Sequence, residues 1–334
     1  MKEALYYRKS KETVICELCP HVCRLKEGET GLCKTRINQN GKLYAINYGY
    51  PCALHIDPVE KKPLYHFLSG TSTLSISTKG CNLACLNCQN HNISQSSPSQ
   101  SDEVYVNPEE VVSMALEKGC QSIAYTYTDP TVYYEYMLEI AQLARSEGLR
   151  NILVSAGYIN PKPLRNLLPY IDAANIDLKC FNDKQYQELC GARLTPVLNT
   201  LLTINQSPVW LEICNLIVPG YSDDMTEIKD MLSWLVENNF QEVPIHFNRF
   251  VPAYKLHHLN ATPIPQLIEI AELAKSEGLK YVYVGNIGIS QYSHTYCSSC
   301  QSKMINRSDY SLNLIGEDYG KCELCGEEMK GVWS

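Results

Sequence analysis

The sequence predicts an α/β fold, a parallel sheet with helices packed on it, carried between two cysteine-rich extensions. Two observations lead there. Short β-branched runs alternate with helical patterns from about residue 71 to residue 290, the mark of a parallel sheet. The sixteen cysteines gather largely into three groups, one near each end of the 334 residues and one just after the first expected strand of the middle. The expected organisation is a cysteine-rich head over 1–70, the α/β unit over 71–290, and a tail over 291–334 that resembles a zinc ribbon.

Strands are expected at 73–78, 122–128, 151–155, 174–178, 210–218, 245–251 and 281–284, each a short run rich in Val, Ile, Thr and aromatic residues. Helices are expected at 108–118, 131–147, 161–168, 183–190, 225–238 and 265–277. Pro108, preceded by Asn107, and Pro265 sit near helix starts, where a missing N–H does no harm. The helix ending in Ser146-Glu147-Gly148-Leu149 recurs as Ser276-Glu277-Gly278-Leu279, each copy closed by glycine and followed by a strand. Such an echo suits a sheet built from repeated αβ units.

Composition excludes several classes. At 45% hydrophobic and 19% charged, the chain reads as an ordinary soluble protein, and it has no run of eighteen apolar residues for a membrane span. Its first ten residues hold no apolar stretch, so no secretory signal is expected, and the expected location is cytoplasmic. A net charge of −7 argues against a nucleic-acid partner. Cytosolic thiols stay reduced, so clustered cysteines read as metal ligands before disulfides.

Cys81-Asn-Leu-Ala-Cys85-Leu-Asn-Cys88 follows the first middle strand, with Lys79-Gly80 as the turn. Three thiolates on one loop can hold three irons of a 4Fe–4S cluster and leave the fourth open to a cofactor. His91 is the nearest residue that could close a structural zinc site instead. In the tail, Cys297, Cys300, Cys322 and Cys325 form two C-x2-C knuckles, the pattern of a structural zinc or a rubredoxin-type iron. Glu317, Asp318, Glu323, Glu327 and Glu328 make that tail acidic and unsuited to phosphate. In the head, Cys16, Cys19, Cys23 and Cys33 offer a second metal site for zinc or an iron–sulfur cluster, with zinc slightly favoured. Cys52, Cys120, Cys180, Cys190 and Cys214 read as small buried hydrophobes, and the tyrosines crowded over 125–136 as rim residues with one polar tip.

The C-x3-C-x2-C loop resembles that of the radical S-adenosylmethionine (SAM) superfamily. Further stretches resemble one branch of it, the AmmeMemoRadiSam radical SAM enzymes, akin to pyruvate formate-lyase activating enzymes. These are Cys16-Glu-Leu-Cys-Pro-His-Val-Cys23, Asp57-Pro-Val-Glu-Lys-Lys-Pro-Leu-Tyr-His66, Cys88-Gln-Asn90, Tyr125-Thr-Tyr-Thr-Asp-Pro-Thr131, Asn175-Ile-Asp-Leu-Lys179, Asn215-Leu-Ile-Val-Pro-Gly220 and His246-Phe-Asn-Arg-Phe250. The resemblance implies a partial TIM-like barrel of about six βα units with its site at the C-terminal strand ends. It implies a 4Fe–4S cluster and SAM, reductive cleavage to a 5′-deoxyadenosyl radical, and hydrogen abstraction from a substrate.

Carried onto this chain, the resemblance places Asp129 at the methionyl amino group, although relatives more often show Glu, and a helix cap is the bland alternative. Asp177 and Lys179 fall near the ribose and carboxylate, or form an interior ion pair; Asn215 offers amide bonds to the cofactor, or forms a turn. His246 and Arg249 meet adenine or substrate, with a core histidine as the alternative for His246. Asn87 stands where the superfamily usually has an aromatic residue against adenine. The resemblance also implies an external electron donor such as flavodoxin or ferredoxin, and partners of the Memo and AMMECR families. The expected activity is modification of a partner protein or oxidation of a small, including an aromatic, metabolite. A glycyl-radical activase is the alternative, and a non-catalytic iron–sulfur or zinc scaffold the distant one.

Overall fold

The computed structural model describes residues 1–98, 104–288, 290–308, 311–315 and 320–333; Glu317 and Asp318 lie outside them. The head comprises β1 (Lys2–Glu3), β2 (Tyr7–Ser10), β3 (Thr13–Cys16), β4 (Arg24–Leu25), β5 (Arg36–Gln39) and β6 (Lys42–Ala45). They make two antiparallel sheets of three strands, ordered β1–β6–β5 and β2–β3–β4. The β5–β6 hairpin turns on Asn40-Gly41, both at positive φ (53° and 69°), the pair that a tight two-residue hairpin favours. Arg36 of β5 clamps the head to the rest of the chain: its guanidinium forms a two-pronged, fully buried pair with Glu135, at 2.8 and 2.7 Å.

The central sheet begins with β7 (Pro51–Pro58), followed by β8 (Ser72–Thr78), β9 (Ser122–Tyr125), β10 (Arg150–Ser155), β11 (Ala173–Asp177), β12 (Trp210–Ile217), β13 (Ile245–Arg249) and β14 (Val282–Gly285). Spatial order follows chain order: β8 to β14 are parallel neighbours, β7 pairs antiparallel with β8, and β7 and β14 end the sheet. The helices are α1 (His91–Ser94), α2 (Pro108–Glu117), α3 (Tyr134–Ser146), α4 (Pro161–Leu167), α5 (Asp183–Cys190), α6 (Leu194–Asn205), α7 (Met225–Glu237) and α8 (Ile264–Ser276). The expected α/β architecture is thus present, with helices in every crossover of the parallel strands. Asn107 caps α2 in a reciprocal box with Glu110, and Pro108 occupies the first turn as expected. The echoed segments are α3–β10 and α8–β14, closed by Gly148 (φ 80°) and Gly278 (φ 104°).

Strand side chains alternate, and here both faces are buried. Ile123, Leu153, Ile176, Ile213, Phe247 and Val284 pack under the helices. On the other face Ala124, Ile152 and Ala173 meet Val59, Leu64, Phe67 and Leu68, so the segment after β7 plugs the concave interior. Glu212 of β12 fastens that plug. Its fully buried carboxylate accepts from the Tyr65 and His66 amides (2.7–3.0 Å) and Trp210 Nε1 (3.1 Å), and lies 2.6 Å from His246 Nε2.

The tail strands β15 (Thr295–Tyr296), β16 (Lys303–Ser308) and β17 (Ser311–Leu314) form a third small antiparallel sheet. It packs on Tyr281, just before β14, and on Tyr283 of β14, and is stitched to the plug. Leu68 N donates to Val332 O at 2.7 Å, and His66 contacts Lys330 O and Tyr283 Oη through its two ring nitrogens. No helix among the described residues is long and apolar enough to cross a membrane.

Burial pushes the His66 imidazole down to about 4. The unfolded chain takes that proton near pH 6.5 and the folded chain only near pH 4, so this contribution is whole above pH 6.5 and lost on acidification. Urea unfolding should therefore show wild type losing, between pH 7 and pH 4.5, on the order of 2 kcal/mol more than His66→Gln; equal losses would contradict this account.

Candidate functional site

The chain leaves β8 through Lys79 and Gly80 and enters the cysteine loop. Gly80 has φ 95°, and a Cβ there would collide with Thr35 Cγ2 and lie 2.6 Å from Cys33 O, so only glycine lets head and loop approach this closely. The loop is fastened from three sides. Ala84 N and Leu86 N donate to Cys190 O and Leu189 O at the end of α5, both at 2.9 Å. Lys255 N donates to Leu86 O (3.0 Å) from the segment after β13. Asn82 donates to Tyr158 O (2.8 Å), while its own carbonyl meets His21 of the head (2.7 Å).

Cys81, Cys85 and Cys88 all line one cavity of about 780 Å³. Residues at the C-terminal ends of successive strands line it too, Thr126 to Asp129 after β9, Ser155 of β10, Asp177 of β11 and Gly285 of β14, so the sheet curves around it. Burial raises the Cys81 and Cys88 thiols; contact with Cys190, then burial, raises Cys85. Metal ligation deprotonates a coordinating thiol outright. The three do not crowd onto one point: among the described residues, the only set of three or more potential ligands whose ligand atoms all lie within 4.8 Å is in the tail. Separate thiols on one wall of an open cavity fit three corners of a 4Fe–4S cluster.

Asp129, Asp177, Lys179 and His246 all line the same cavity. Asp129 caps the 3-10 turn that begins at Pro130, accepting from Thr131 N (3.0 Å), and its other oxygen accepts from Ser155 Oγ (3.0 Å) and Ala156 N (2.9 Å). The capping and cavity-facing readings therefore coexist. Lys179 Nζ donates to Asp177 at 2.6 Å, the two side chains lying on one side of the chain. Burial works against the Lys179 charge, but the carboxylate of Asp177 outweighs it and raises its pKa. His246 is held between Glu212 and a stacked Tyr283, as a satisfied core histidine that also touches the cavity.

Asn215 is the exception. The alternation of β12 turns Glu212 inward, so Asn215 faces the helices; its amide donates to Leu178 O (2.6 Å), and it does not line the cavity. Arg249 likewise donates to Thr262 O (2.9 Å) away from it. His91 is exposed, stacks on Tyr254 at 4.5 Å and contacts Cys88 O through Nδ1 at 3.3 Å, and it joins no close set of three ligand atoms with the thiols. Asn87 is buried outside the cavity lining, its Oδ1 without a partner. Of the crowded tyrosines, Tyr127 lines the cavity, at φ 65° and with its hydroxyl on Asp57 (2.5 Å); Tyr125, Tyr133, Tyr134 and Tyr136 are buried with their hydroxyls bonded.

The model of the radical SAM superfamily matches residues 75–235, from β8 into α7 and across the cysteine loop. The chain belongs to the radical SAM superfamily. It is 42% identical over 332 residues to the uncharacterized protein MJ0808 of Methanocaldococcus jannaschii, covering 98% of this chain and 99% of that one. It is 23% identical over 221 residues to the pyruvate formate-lyase-activating enzyme of Staphylococcus epidermidis, covering 62% and 85%. In fold it resembles Streptococcus suis SuiB bound to its precursor peptide, with TM-score 0.51 and 13% identity over 69% of this chain and 51% of that one.

Sequence reasoning did not single out several residues that line this cavity. Glu60 and Tyr65 come from the plug, inside a stretch whose resemblance was visible but whose roles were not. Arg307 arrives from β16 in the tail, with nothing in the sequence to announce it; it lies over the Tyr65 ring at 4.2 Å and donates to Tyr65 O at 2.8 Å. Glu60 Oε2 and Arg307 Nε are buried without hydrogen-bond partners.

The tail thiols are spaced differently. Cys297 and Cys325 lie 3.5 Å apart, and Cys300 and Cys322 3.6 Å. A tetrahedral ion with metal–sulfur bonds of about 2.3 Å holds its thiolates about 3.8 Å apart, so the set fits a single ion. Cys300→Ser with Cys325→Ser should remove about one equivalent of bound metal by mass spectrometry while iron-linked absorbance at the loop site persists; unchanged metal content would contradict the assignment.

Proposed function

We propose that the protein is a cytosolic radical SAM enzyme whose substrate is a small polar molecule, and that it works with partners of the Memo and AMMECR families. One observation carries the catalytic reading: Cys81, Cys85 and Cys88 share a single cavity with Asp129, Asp177 and Lys179. When bound, a three-thiolate 4Fe–4S cluster with SAM supplies one-electron cleavage of the sulfonium bond and a 5′-deoxyadenosyl radical that takes hydrogen from the substrate.

The residues divide the remaining work. An ionised carboxylate offers about four acceptor positions. Asp129 uses three on its own chain, leaving one for the methionyl ammonium. Lys179, held by Asp177 beside Cys85, sets a fixed positive charge against the cluster's thiolates and the cofactor carboxylate. Asp177, half-exposed at the cavity wall, keeps an oxygen for ribose hydroxyls. Below them Glu60 and Arg307 present an unpaired acceptor and an unpaired donor, and unpaired buried groups select a ligand that pairs with both. The plug and tail close the sheet's interior beneath the site. The Memo and AMMECR partners rest on the ordered motifs quoted above.

Glycyl-radical activation is the second reading, favoured by similarity to the pyruvate formate-lyase-activating enzyme. A glycyl-radical doublet on a candidate partner by electron paramagnetic resonance would establish it.

Anaerobic protein reconstituted with iron and sulfide, given SAM and dithionite, should form 5′-deoxyadenosine, and the variant Cys81→Ala with Cys85→Ala and Cys88→Ala should form none. Lys179→Met should raise the SAM dissociation constant about tenfold, a loss of about 1.4 kcal/mol. Equal product from the triple variant would contradict the proposal.

A further inference from the structure

We propose that Cys16, Cys19, Cys23 and Cys33 hold a second 4Fe–4S cluster, fully ligated by protein, that passes electrons to the Cys81 loop. The four cysteines line one cavity with Gly31 and Arg36. Sequence analysis slightly favoured zinc at this place; the geometry points away from it. A zinc ion draws its thiolates to about 3.8 Å from one another. The tail cysteines meet that requirement, whereas no three of the head thiols lie within 4.8 Å of one another. The head shares that wider spacing with Cys81, Cys85 and Cys88. A cubane carries its irons on separate corners and spreads its thiolates beyond the reach of one ion.

A Cβ placed on Gly31 would lie 3.7 Å from both Cys23 Sγ and Cys33 Sγ, so a larger side chain there would run against both sulfurs. One further observation points to an anionic occupant. Arg36, 2% exposed, lines the cavity with its Nε lacking a hydrogen-bond partner. An unsatisfied buried donor is costly, and a sulfide or thiolate would accept from it.

The relay role follows from position. Asn82 lines the head cavity while its chain neighbours Cys81 and Leu83 line the large one, so a single loop residue separates the two sites. His21 contacts Asn82 O, and Cys33 O abuts Gly80. On the other side Cys19, Cys23 and Cys33 are only partly buried, so the head site reaches the surface. Four protein ligands leave no open iron for SAM, which suits electron transfer and not cofactor cleavage. One electron enters from a reduced carrier of the flavodoxin or ferredoxin class, which is oxidised by one electron, and the same electron moves on to the loop site; no bond is made or broken. The relay rests on the radical SAM reading of the Cys81 loop, whereas the cluster assignment does not.

The test uses full-length protein reconstituted anaerobically. The triple alanine variant at Cys81, Cys85 and Cys88 should retain about four irons and four sulfides per chain and, once reduced, a 4Fe–4S resonance that SAM leaves unchanged. About two irons, or zinc without sulfide, in that variant would overturn the cluster. For the relay, Cys23→Ser with Cys33→Ser should slow reduction of the loop cluster by reduced flavodoxin at least tenfold, while reduction by a small chemical reductant is unchanged. Equal rates with flavodoxin would overturn the relay. Should that variant fold poorly, Gly31→Val, whose side chain would run against both sulfurs, should lose about four irons per chain and give the same slowing. Failure of the radical SAM reading would show separately, as a wild-type resonance that SAM does not perturb while the triple variant keeps its four irons.

Discussion

At the centre of the curved sheet a buried carboxylate, Glu212, collects donors from three places: the plug at Tyr65 and His66, its own strand at Trp210, and β13 at His246. A charge in an apolar interior is tolerable only when its lone pairs are filled, and filling them dictates where each of these segments runs. With Tyr65 fixed, Arg307 has both a ring to lie on and a carbonyl to donate to, so the tail is drawn into the sheet's open side. The same tie brings Glu60 to the floor of the cavity. An open sheet of parallel strands leaves its interior uncovered, and here the chain covers it with the segment after β7 and with its last residues.

The site above that floor is built at strand ends, where loops are free to vary while the sheet fixes their origin. Gly80 lets the head touch the cysteine loop, and backbone bonds from α5 and from the segment after β13 hold it. None of these bonds uses the thiols. Among the described residues, only the tail cysteines bring three or more thiols within 4.8 Å of one another.

Much of this was legible beforehand, for physical reasons. The parallel strands and most helices carry strong periodic signals, and the C-x3-C-x2-C spacing is chemistry written into sequence. The strand expected over 122–128 stops at Tyr125 because Tyr127 adopts a left-handed backbone and Asp129 caps the following turn; β-branched Thr126 and Thr128 carry strand propensity without strand pairing. In the sequence Asn215 reads as offering amide bonds to the cofactor or forming a turn, because a strand buried on both faces offers no polarity pattern to say which side points inward. Helix α6 and strand β7 went unread, as did the small head sheets, whose short strands are held by a hairpin turn and by the Arg36–Glu135 pair. Arg307 could not be found from sequence, since it reaches the cavity only through tertiary packing.

The claim on which the catalytic reading and the relay rest is that the Cys81 loop presents an iron with an open position to the cofactor. Electron–nuclear double resonance on the reduced wild-type protein, given SAM labelled with 15N in its amino group and 17O in its carboxylate, tests it directly. The account predicts hyperfine coupling from both labels, absent in the triple alanine variant. A well-formed reduced cluster showing no coupling to either label would contradict it.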